Sequence, residues 1–260
     1  MQTNTTSVPL LAKRVILVTG ASSGIGRAVA KAYAAHGATV ILLARTIQKL
    51  ETLYDEIINA GYPTPAIYPL NLATATPKEY QDLRDNIENH FGKLDGLLHN
   101  AAVLGSLTPI EHYPLEQWYQ VLQVNLNSVF LLTHATLPLL KASKDASILL
   151  TVANEAFQGK AYWGAYGVSK SALQGFMQIL ADELEANTRI RVNSINPVRA
   201  RTPLRANAYP AENFQTLPLP QDILDQYLYL MGPDSKNITG QTFNAAPKMV
   251  KKDLFCHIET

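Results

Sequence analysis

The chain has 260 residues, of which 47% are hydrophobic and 17% charged, so it can build a sizeable core and differs from disordered chains. Because 22 basic residues balance 21 acidic ones, there is no broad electrostatic reason to expect nucleic acid or an anionic membrane as a partner. The single cysteine, Cys256, excludes a disulfide within the chain and a zinc cluster of cysteines, and no metal site is predicted.

The first 14 residues lack the basic start and apolar run of a secretory signal. No window reaches the ~20 apolar residues of a membrane-spanning helix. The longest apolar run, residues 129–140, is interrupted by threonine, histidine and proline, and predicts a buried helix. We therefore expect a cytoplasmic protein.

Short leucine-rich and β-branched runs alternate with amphipathic segments along the chain. The runs predict buried strands at residues 15–19, 40–43, 66–70, 94–98, 147–152 and 190–195. Helical patterns between them end at Gly37, Gly61 and Gly92, and another covers residues 173–184. This alternation predicts a doubly wound α/β fold with a parallel sheet flanked by helices on both faces.

The chain shows no internal repeat or flexible linker, so one domain over residues 1–260 is predicted. Residues 198–220 break the strand and helix pattern with four prolines among mostly polar residues. A loop of this length in a compact domain is usually a lid or binding segment, so we predict a substrate lid there. The tail of residues 248–260 receives no assignment.

A glycine-rich turn joins the first predicted strand to the first predicted helix. Its glycines allow a sharp turn and a close approach to a pyrophosphate, while the N–H groups at the helix start face the anion. The turn predicts a Rossmann-type dinucleotide site, the alternative being a turn that binds nothing. The predicted binding residues here are Gly20, Ser22, Ser23, Gly24, Ile25 and Gly26.

The end of the second predicted strand carries Arg45 and no carboxylate. An acidic residue here would bind the adenosine ribose hydroxyls, whereas a guanidinium can pair with a 2′-phosphate. NADP(H) is therefore the preferred cofactor, with NAD(H) still possible. Arg45 as an ordinary solvated residue is the alternative.

Tyr166 and Lys170 lie four residues apart, which places a phenol and an ammonium on one helix face. A nearby cation favours the phenolate and is expected to lower the pKa of Tyr166 from about 10. Tyr166 could then act as general acid to a carbonyl or general base to an alcohol. Taken alone, a pair at this spacing also arises by chance.

Together these two motifs resemble those of the short-chain dehydrogenase/reductase family over nearly the whole chain. The resemblance extends to Asn100-Ala101 after the fourth predicted strand, to Asn125, and to Asn196-Pro197 followed by Thr202. Segments such as WGAYGVSK and RVNSINP are most similar to the YciK-type bacterial oxidoreductases.

The resemblance implies specific roles at the catalytic end. Tyr166 would donate the proton, Lys170 would also bind the nicotinamide ribose, and Asn125 would hold a water linked to Lys170. The resemblance also implies a small-molecule substrate and a homodimer or homotetramer formed through the helices that carry Asn125 and Tyr166.

Other residues would bind the rest of the cofactor. Asn100 and Ala101 would pass beneath the adenosine ribose, and Asn71-Leu72 would meet the adenine in place of the family's usual pair of an aspartate and a hydrophobic residue. Pro197 and Thr202 would lie near the carboxamide or phosphates.

The chain departs from the family where a serine normally binds the substrate oxygen, because that position is Ala153. Thr151 lies ~6.6 Å before Ala153 along the strand and is expected to be too distant from the substrate oxygen. Asn154 points to the opposite face of a regular strand unless a bulge turns it inward. Val198, where the family has glycine, and Ala102 add side chains near the cofactor.

Two functions follow from these observations. The first is an NADP(H)-dependent oxidoreductase that moves a hydride between nicotinamide and a carbonyl or secondary alcohol. The second is an NADP(H)-binding redox sensor or scaffold with little turnover, because losing one oxyanion donor costs about 10²–10³ in rate.

Overall fold

A computed structural model describes residues 8–245, so the tail at 248–260 and Cys256 lie outside the described residues. Seven parallel strands form one sheet in the order β3-β2-β1-β4-β5-β6-β7. They are β1 Val15–Thr19, β2 Thr39–Ala44, β3 Ala66–Pro69, β4 Gly96–His99, β5 Ser147–Thr151, β6 Arg191–Asn196 and β7 Thr242–Asn244.

Helices cover both faces of this sheet. They are α1 Gly24–Ala35, α2 Ile47–Asn59, α3 Pro77–Phe91, α4 Leu115–Leu122, α5 Ser128–Lys141, α6 Gly164–Glu185, α7 Pro203–Ala208 and α8 Leu224–Met231. Buried residues of α3, α5 and α6 form the core on one face, and those of α1, α2 and α8 form the core on the other. The prediction of a doubly wound parallel α/β fold is confirmed.

The strand order reverses between β1 and β4, which are hydrogen-bonded neighbours. In open parallel sheets, ligands bind in the crevice at the carboxyl ends of the strands beside such a reversal. The turns that follow β1, β4 and β5 therefore meet at one edge of the sheet, and they carry the glycine turn, Asn100-Ala101 and Ala153-Asn154.

Two features differ from the prediction. The edge strand β7 has only three residues and no apolar run that would have indicated it. The interval 198–220 contains the helix α7, so it is not a continuous loop. Thr202 caps α7 by accepting a hydrogen bond from the Arg205 amide at 3.1 Å, and Pro203 occupies the first helical position.

The buried helix predicted at residues 129–140 corresponds to α5, which contains Pro138 and buries seven of its residues. No helix within residues 8–245 has both the length and the apolar character needed to cross a membrane.

Candidate active site

A cavity of about 540 Å³ opens at the carboxyl edge of the sheet. It brings together sixteen of the eighteen predicted site residues, the other two being Gly26 and Asn125. The lining set is Gly20, Ser22, Ser23, Gly24, Ile25, Arg45, Asn71, Leu72, Asn100, Ala101, Ala153, Asn154, Tyr166, Lys170, Pro197 and Thr202. One cavity thus spans the glycine turn and the Tyr166–Lys170 pair.

The glycine turn has a backbone that only glycine adopts without strain. Gly20 and Gly24 have φ angles of +67° and +54°. A methyl group at Gly20 would lie 2.9 Å from the Ala101 Cα atom, and one at Gly26 would clash with the Gly20 carbonyl oxygen and the Asn100 side chain. Gly26 therefore serves close packing of the turn.

The start of α1 is suited to an anion. Ser23 is the N-cap residue but makes no capping hydrogen bond through its side chain, and the first turn contains no acidic residue. The N–H groups and positive end of the helix dipole therefore face the cavity without a competing carboxylate in that turn. Glycine backbone and helix start together fit the pyrophosphate of a dinucleotide.

Thr19, at the end of β1, orders the neighbouring loop. Its Oγ1 atom accepts hydrogen bonds from the amides of Asn100 and Ala101 at 2.9 and 3.1 Å and donates to the Leu98 carbonyl at 3.3 Å. The Asn100 side chain donates to the Thr19 carbonyl at 3.3 Å. Sequence reasoning missed Thr19, whose only signal was its position before the glycine turn.

The part of the cavity beside β2 and β3 carries Arg45, Asn71 and Leu72. Arg45 is exposed and forms no ion pair with any residue in 8–245. The Asn71 Oδ1 atom accepts a hydrogen bond from the Ala73 amide at 3.2 Å, and its second lone pair can accept another donor. A solvated guanidinium beside a nucleotide cavity suits a phosphate ligand.

Tyr166 and Lys170 are both buried on the cavity side of α6, with 6% and 2% of their surfaces exposed. The Lys170 Nζ atom lies 5.5 Å from the centre of the Tyr166 ring and donates to the Thr151 carbonyl at 2.8 Å. Burial lowers the pKa of Lys170 to about 8, although the charge of Glu155 opposes this shift.

The pKa of Tyr166 moves in the direction opposite to our expectation. Burial raises it well above 10, Glu155 and Tyr209 raise it further, and only Arg205 opposes the shift. The expected lowering by Lys170 is therefore wrong for this structure, because the cost of burying a phenolate dominates. The phenol is protonated at neutral pH, as a proton donor must be.

Asn125 is fully buried in a five-residue π-helical turn between α4 and α5. Its Oδ1 atom accepts from the Val103 amide at 2.9 Å, and its Nδ2 atom donates to the Val103 carbonyl at 3.0 Å and to Ser169 Oγ at 3.1 Å. Its side chain thus links the cavity-lining Val103 to α6.

The side chains of Ala153, Thr151 and Asn154, at and near the position of the family serine, lie in different surroundings. Ala153 packs against Trp163 and Tyr166, and the Thr151 side chain instead faces Tyr227 of α8 across the sheet. Asn154 begins a short 3₁₀ turn rather than continuing the strand. Its Oδ1 atom accepts from Asn196 at 2.8 Å, while its Nδ2 atom makes no hydrogen bond within residues 8–245.

Two cavity residues, Glu155 and Trp163, were not singled out from the sequence. Glu155 follows Asn154 and has only 8% of its surface exposed. The rings of Trp163 and Tyr166 lie 5.6 Å apart, and those of Trp163 and Tyr209 lie 5.5 Å apart. The only sequence signal for Trp163 and Glu155 was their proximity to Tyr166 and Ala153.

The segment at 198–209 closes one side of the cavity. Val198, Thr202 and Tyr209 all line it. A methyl group placed on Gly24 would lie 3.3 Å from the Thr202 Cγ2 atom, so this segment reaches the glycine turn. Val198 has a φ angle of +54°, a left-handed conformation that is costly for a β-branched residue.

This fold and site define a class of enzyme. The sequence matches the short chain dehydrogenase family model over residues 14–213. The chain belongs to the short-chain dehydrogenase/reductase family of oxidoreductases. The uncharacterized oxidoreductase YciK of Escherichia coli K12 is 47% identical over 238 residues, which cover 92% of this chain and 94% of that protein. The predicted similarity to YciK-type proteins is confirmed.

Solved structures extend the comparison. A Pseudomonas syringae protein described as a short chain dehydrogenase has 54% sequence identity and a TM-score of 0.88, with 92% of this chain and 97% of that chain covered. A protein from Escherichia coli CFT073, crystallised in complex with NADPH, has 47% identity and a TM-score of 0.89, with 92% and 99% covered.

Proposed function

We propose that this protein is an NADP(H)-dependent oxidoreductase that transfers a hydride between the nicotinamide and a carbonyl or secondary alcohol of a small molecule. One observation carries the proposal: the buried Tyr166–Lys170 pair lies in the same cavity as the glycine turn. The NADPH complex of a 47% identical protein supports the cofactor. Arg45 is the residue we assign to the 2′-phosphate.

The cofactor would supply the hydride, and the side chains of this chain would supply the proton and the orientation. In the reduction direction, the Tyr166 phenol donates its proton to the substrate oxygen as that oxygen gains negative charge. The protonated Lys170 stabilises the resulting phenolate, and its hydrogen bond to the Thr151 carbonyl holds it below the ring. Asn125 positions α6 against Val103.

We assign the role of the missing serine to Asn154. Asn154 lines the cavity, and the hydrogen bond from Asn196 uses its Oδ1 atom, which leaves the Nδ2 atom able to donate to a ligand. Asn196 is in turn held by Asn244 of β7, since its Nδ2 atom also donates to the Asn244 Oδ1 atom at 3.1 Å. This network supports an amide donor to the substrate oxygen beside Ala153.

A second candidate is a protein that binds NADP(H) with little turnover, as a redox sensor or scaffold. The absence of a hydroxyl at Ala153 favours it, because a developing oxyanion loses a preorganised donor. The two candidates differ in turnover: the binding protein would hold NADPH but reduce no carbonyl compound.

The test measures NADPH oxidation with a panel of aldehydes, ketones and quinones. Tyr166→Phe should reduce turnover by about 10²–10⁴, the usual contribution of a general acid, while NADPH affinity is retained. Equal turnover in the wild type and Tyr166→Phe would remove Tyr166 from the mechanism. NADPH binding without turnover by the wild type would favour the second candidate.

We also propose a homodimer or homotetramer, formed through the outer surfaces of α4, α5 and α6. Large apolar side chains are exposed there, among them Tyr119, Phe130 and Ile179 with 67%, 52% and 60% of their surfaces accessible. Sedimentation velocity on the wild type and on Phe130→Glu tests this assembly. The carboxylate introduced at position 130 should dissociate the oligomer.

The single cysteine of the chain suits the reducing environment of the cytoplasm, where we place the protein.

A further inference from the structure

Glu155 adds a negative charge to the cavity beside Tyr166. It lies in the 3₁₀ turn Asn154–Ala156 that follows β5, and 8% of its surface is exposed. The Ser171 Oγ atom donates to the Glu155 carbonyl at 3.2 Å, which attaches this turn to α6. The carboxylate is therefore part of the catalytic end of the cavity.

No basic side chain within residues 8–245 forms an ion pair with this carboxylate, and the nearby Lys170 and Arg205 interact with its charge only at longer range. Within residues 8–245, its only side-chain hydrogen bond comes from the Tyr209 hydroxyl at 3.4 Å, and no basic nitrogen lies within 4.0 Å. Lys170 is directed instead to the Thr151 carbonyl. Because a buried carboxylate without a directly paired cation is unfavourable, a ligand that supplies such a cation is favoured.

Aromatic rings surround the same part of the cavity. Trp163 packs on Tyr166 at 5.6 Å and on Tyr209 at 5.5 Å between ring centres, and all three line the cavity with Glu155. Ring faces attract cations, and aromatic side chains combined with a carboxylate are suited to ammonium groups, including quaternary ones.

Cations already occupy part of the surface of these rings. Arg205 stacks on Tyr209 at 3.7 Å but pairs with both carboxylate oxygens of Glu212 at 2.7 and 2.8 Å. The exposed Lys160 donates to the Tyr209 hydroxyl at 3.1 Å and places its ammonium 5.1 Å from the Trp163 ring centre and 4.8 Å from that of Tyr209. Arg205 and Lys170 line the cavity and lie on the Tyr209 and Tyr166 rings, whereas Lys160 does not line it. Of the three rings, only that of Trp163 has no cavity-lining cation on it within residues 8–245.

We propose that Glu155, together with the Trp163 ring, binds an ammonium group of the substrate. The preferred substrates are then ketones or secondary alcohols that carry a protonated or quaternary amine. This inference rests on the proposed function, because it assigns a substrate class to the same cavity. It makes Glu155 a specificity-determining residue.

The experiment compares two ketones of matched shape: the dimethyl-oxopiperidinium cation and its neutral carbon isostere, dimethylcyclohexanone. Oxocyclohexanecarboxylate serves as the anionic member. We expect the wild type to show a kcat/KM for the cation about 10- to 100-fold above that for the neutral ketone, the range of one desolvated cation–π contact. Glu155→Gln should bring the ratio close to one.

Two variants act as controls. Glu111→Gln removes the same charge from an exposed position outside the cavity and should leave the ratio unchanged. Lys160→Met removes a competing cation and should preserve or increase the preference. A wild-type preference for the anion that disappears in Lys160→Met would overturn the proposal, as would an unchanged ratio in Glu155→Gln.

Binding measurements separate this inference from the proposed function. Calorimetric titration of the NADP⁺-loaded protein with the same ketones reports recognition without turnover. Selective binding of the cation that Glu155→Gln abolishes supports the ammonium site even when no ketone is reduced. Turnover of both ketones with equal kcat/KM by the wild type overturns the ammonium site and leaves the oxidoreductase assignment intact, without relying on any variant to fold.

Discussion

The Lys170 Nζ atom donates a 2.8 Å hydrogen bond to the carbonyl oxygen of Thr151, the last residue of β5. This contact holds a fully buried ammonium beneath the Tyr166 ring, where burial lowers the pKa of Lys170 to about 8. The folded protein therefore retains a charge that its interior disfavours, in the position where the proposed reaction uses it.

Lys170→Met should stabilise the fold while it removes activity. The pKa of Lys170 is about 8 in the folded state against 10.5 for an unperturbed lysine, so the unfolded state binds more protons between these values. The free energy of unfolding of the wild type should therefore rise as pH increases through that window. Below the window, the wild type should lack this gain in stability. At pH 7, Lys170→Met should add about 1–3 kcal/mol, since each unit of pKa shift corresponds to about 1.4 kcal/mol.

Urea unfolding from pH 7 to pH 10 checks this prediction. The variant should show a flatter dependence of unfolding free energy on pH than the wild type. Lys144→Met, at an exposed position, is the matched control and should follow the wild-type curve. A Lys170→Met protein that is less stable than the wild type at pH 7, with the same pH dependence, would contradict it.

Asn154→Ala should lower kcat, because it removes the amide donor that we assign to the substrate oxygen. The expected loss is about 10²-fold, the lower end of the effect of one oxyanion donor. The Ala153→Ser variant should turn over faster than the wild type. Adding Ala153→Ser to Asn154→Ala should restore part of the lost activity. Steady-state kinetics of both single variants and the double variant measure this. If Asn154→Ala kept the wild-type kcat, another group would have to donate the hydrogen bond to the substrate oxygen.

Arg45→Ala should weaken NADPH binding by about 10- to 100-fold and leave NADH binding nearly unchanged. The physical reason is the loss of a charge-assisted contact to the 2′-phosphate, which NADH lacks. Arg45→Lys keeps the charge without the planar fork and should show an intermediate loss. Fluorescence titration with both nucleotides measures the two affinities. Equal losses for NADPH and NADH would show that Arg45 does not read the phosphate.

Val198→Gly should stabilise the protein, because Val198 has a φ angle of +54°. A left-handed conformation costs an L-residue about 1–2 kcal/mol, from which the greater chain entropy of glycine subtracts about 0.5–1 kcal/mol. A net gain of about 1 kcal/mol corresponds to a rise in Tm of about 2–4 °C. Val198→Ala keeps the Cβ atom and should recover less. Differential scanning calorimetry would disprove the strain if Val198→Gly melted lower than Val198→Ala.

Local patterns were sufficient for much of the framework. Six of the seven strands were predicted within about two residues of their observed bounds, because buried parallel strands appear as continuous apolar runs. The glycine turn and the Tyr166–Lys170 pair were recognisable for a related reason, since turn geometry and helix spacing depend on residues close together in the chain. The strand β7 lacked such a pattern and was missed.

Properties that depend on distant residues required the tertiary structure. The pKa of Tyr166 rises because packing buries it and places Glu155 and Tyr209 nearby, an outcome that the spacing to Lys170 did not indicate. The direction of the Asn154 amide depends on Asn196, which is 42 residues away in sequence. Sequence periodicity thus determined the fold and the location of the site, whereas burial and long-range contacts decided the pKa of Tyr166 and the orientation of Asn154.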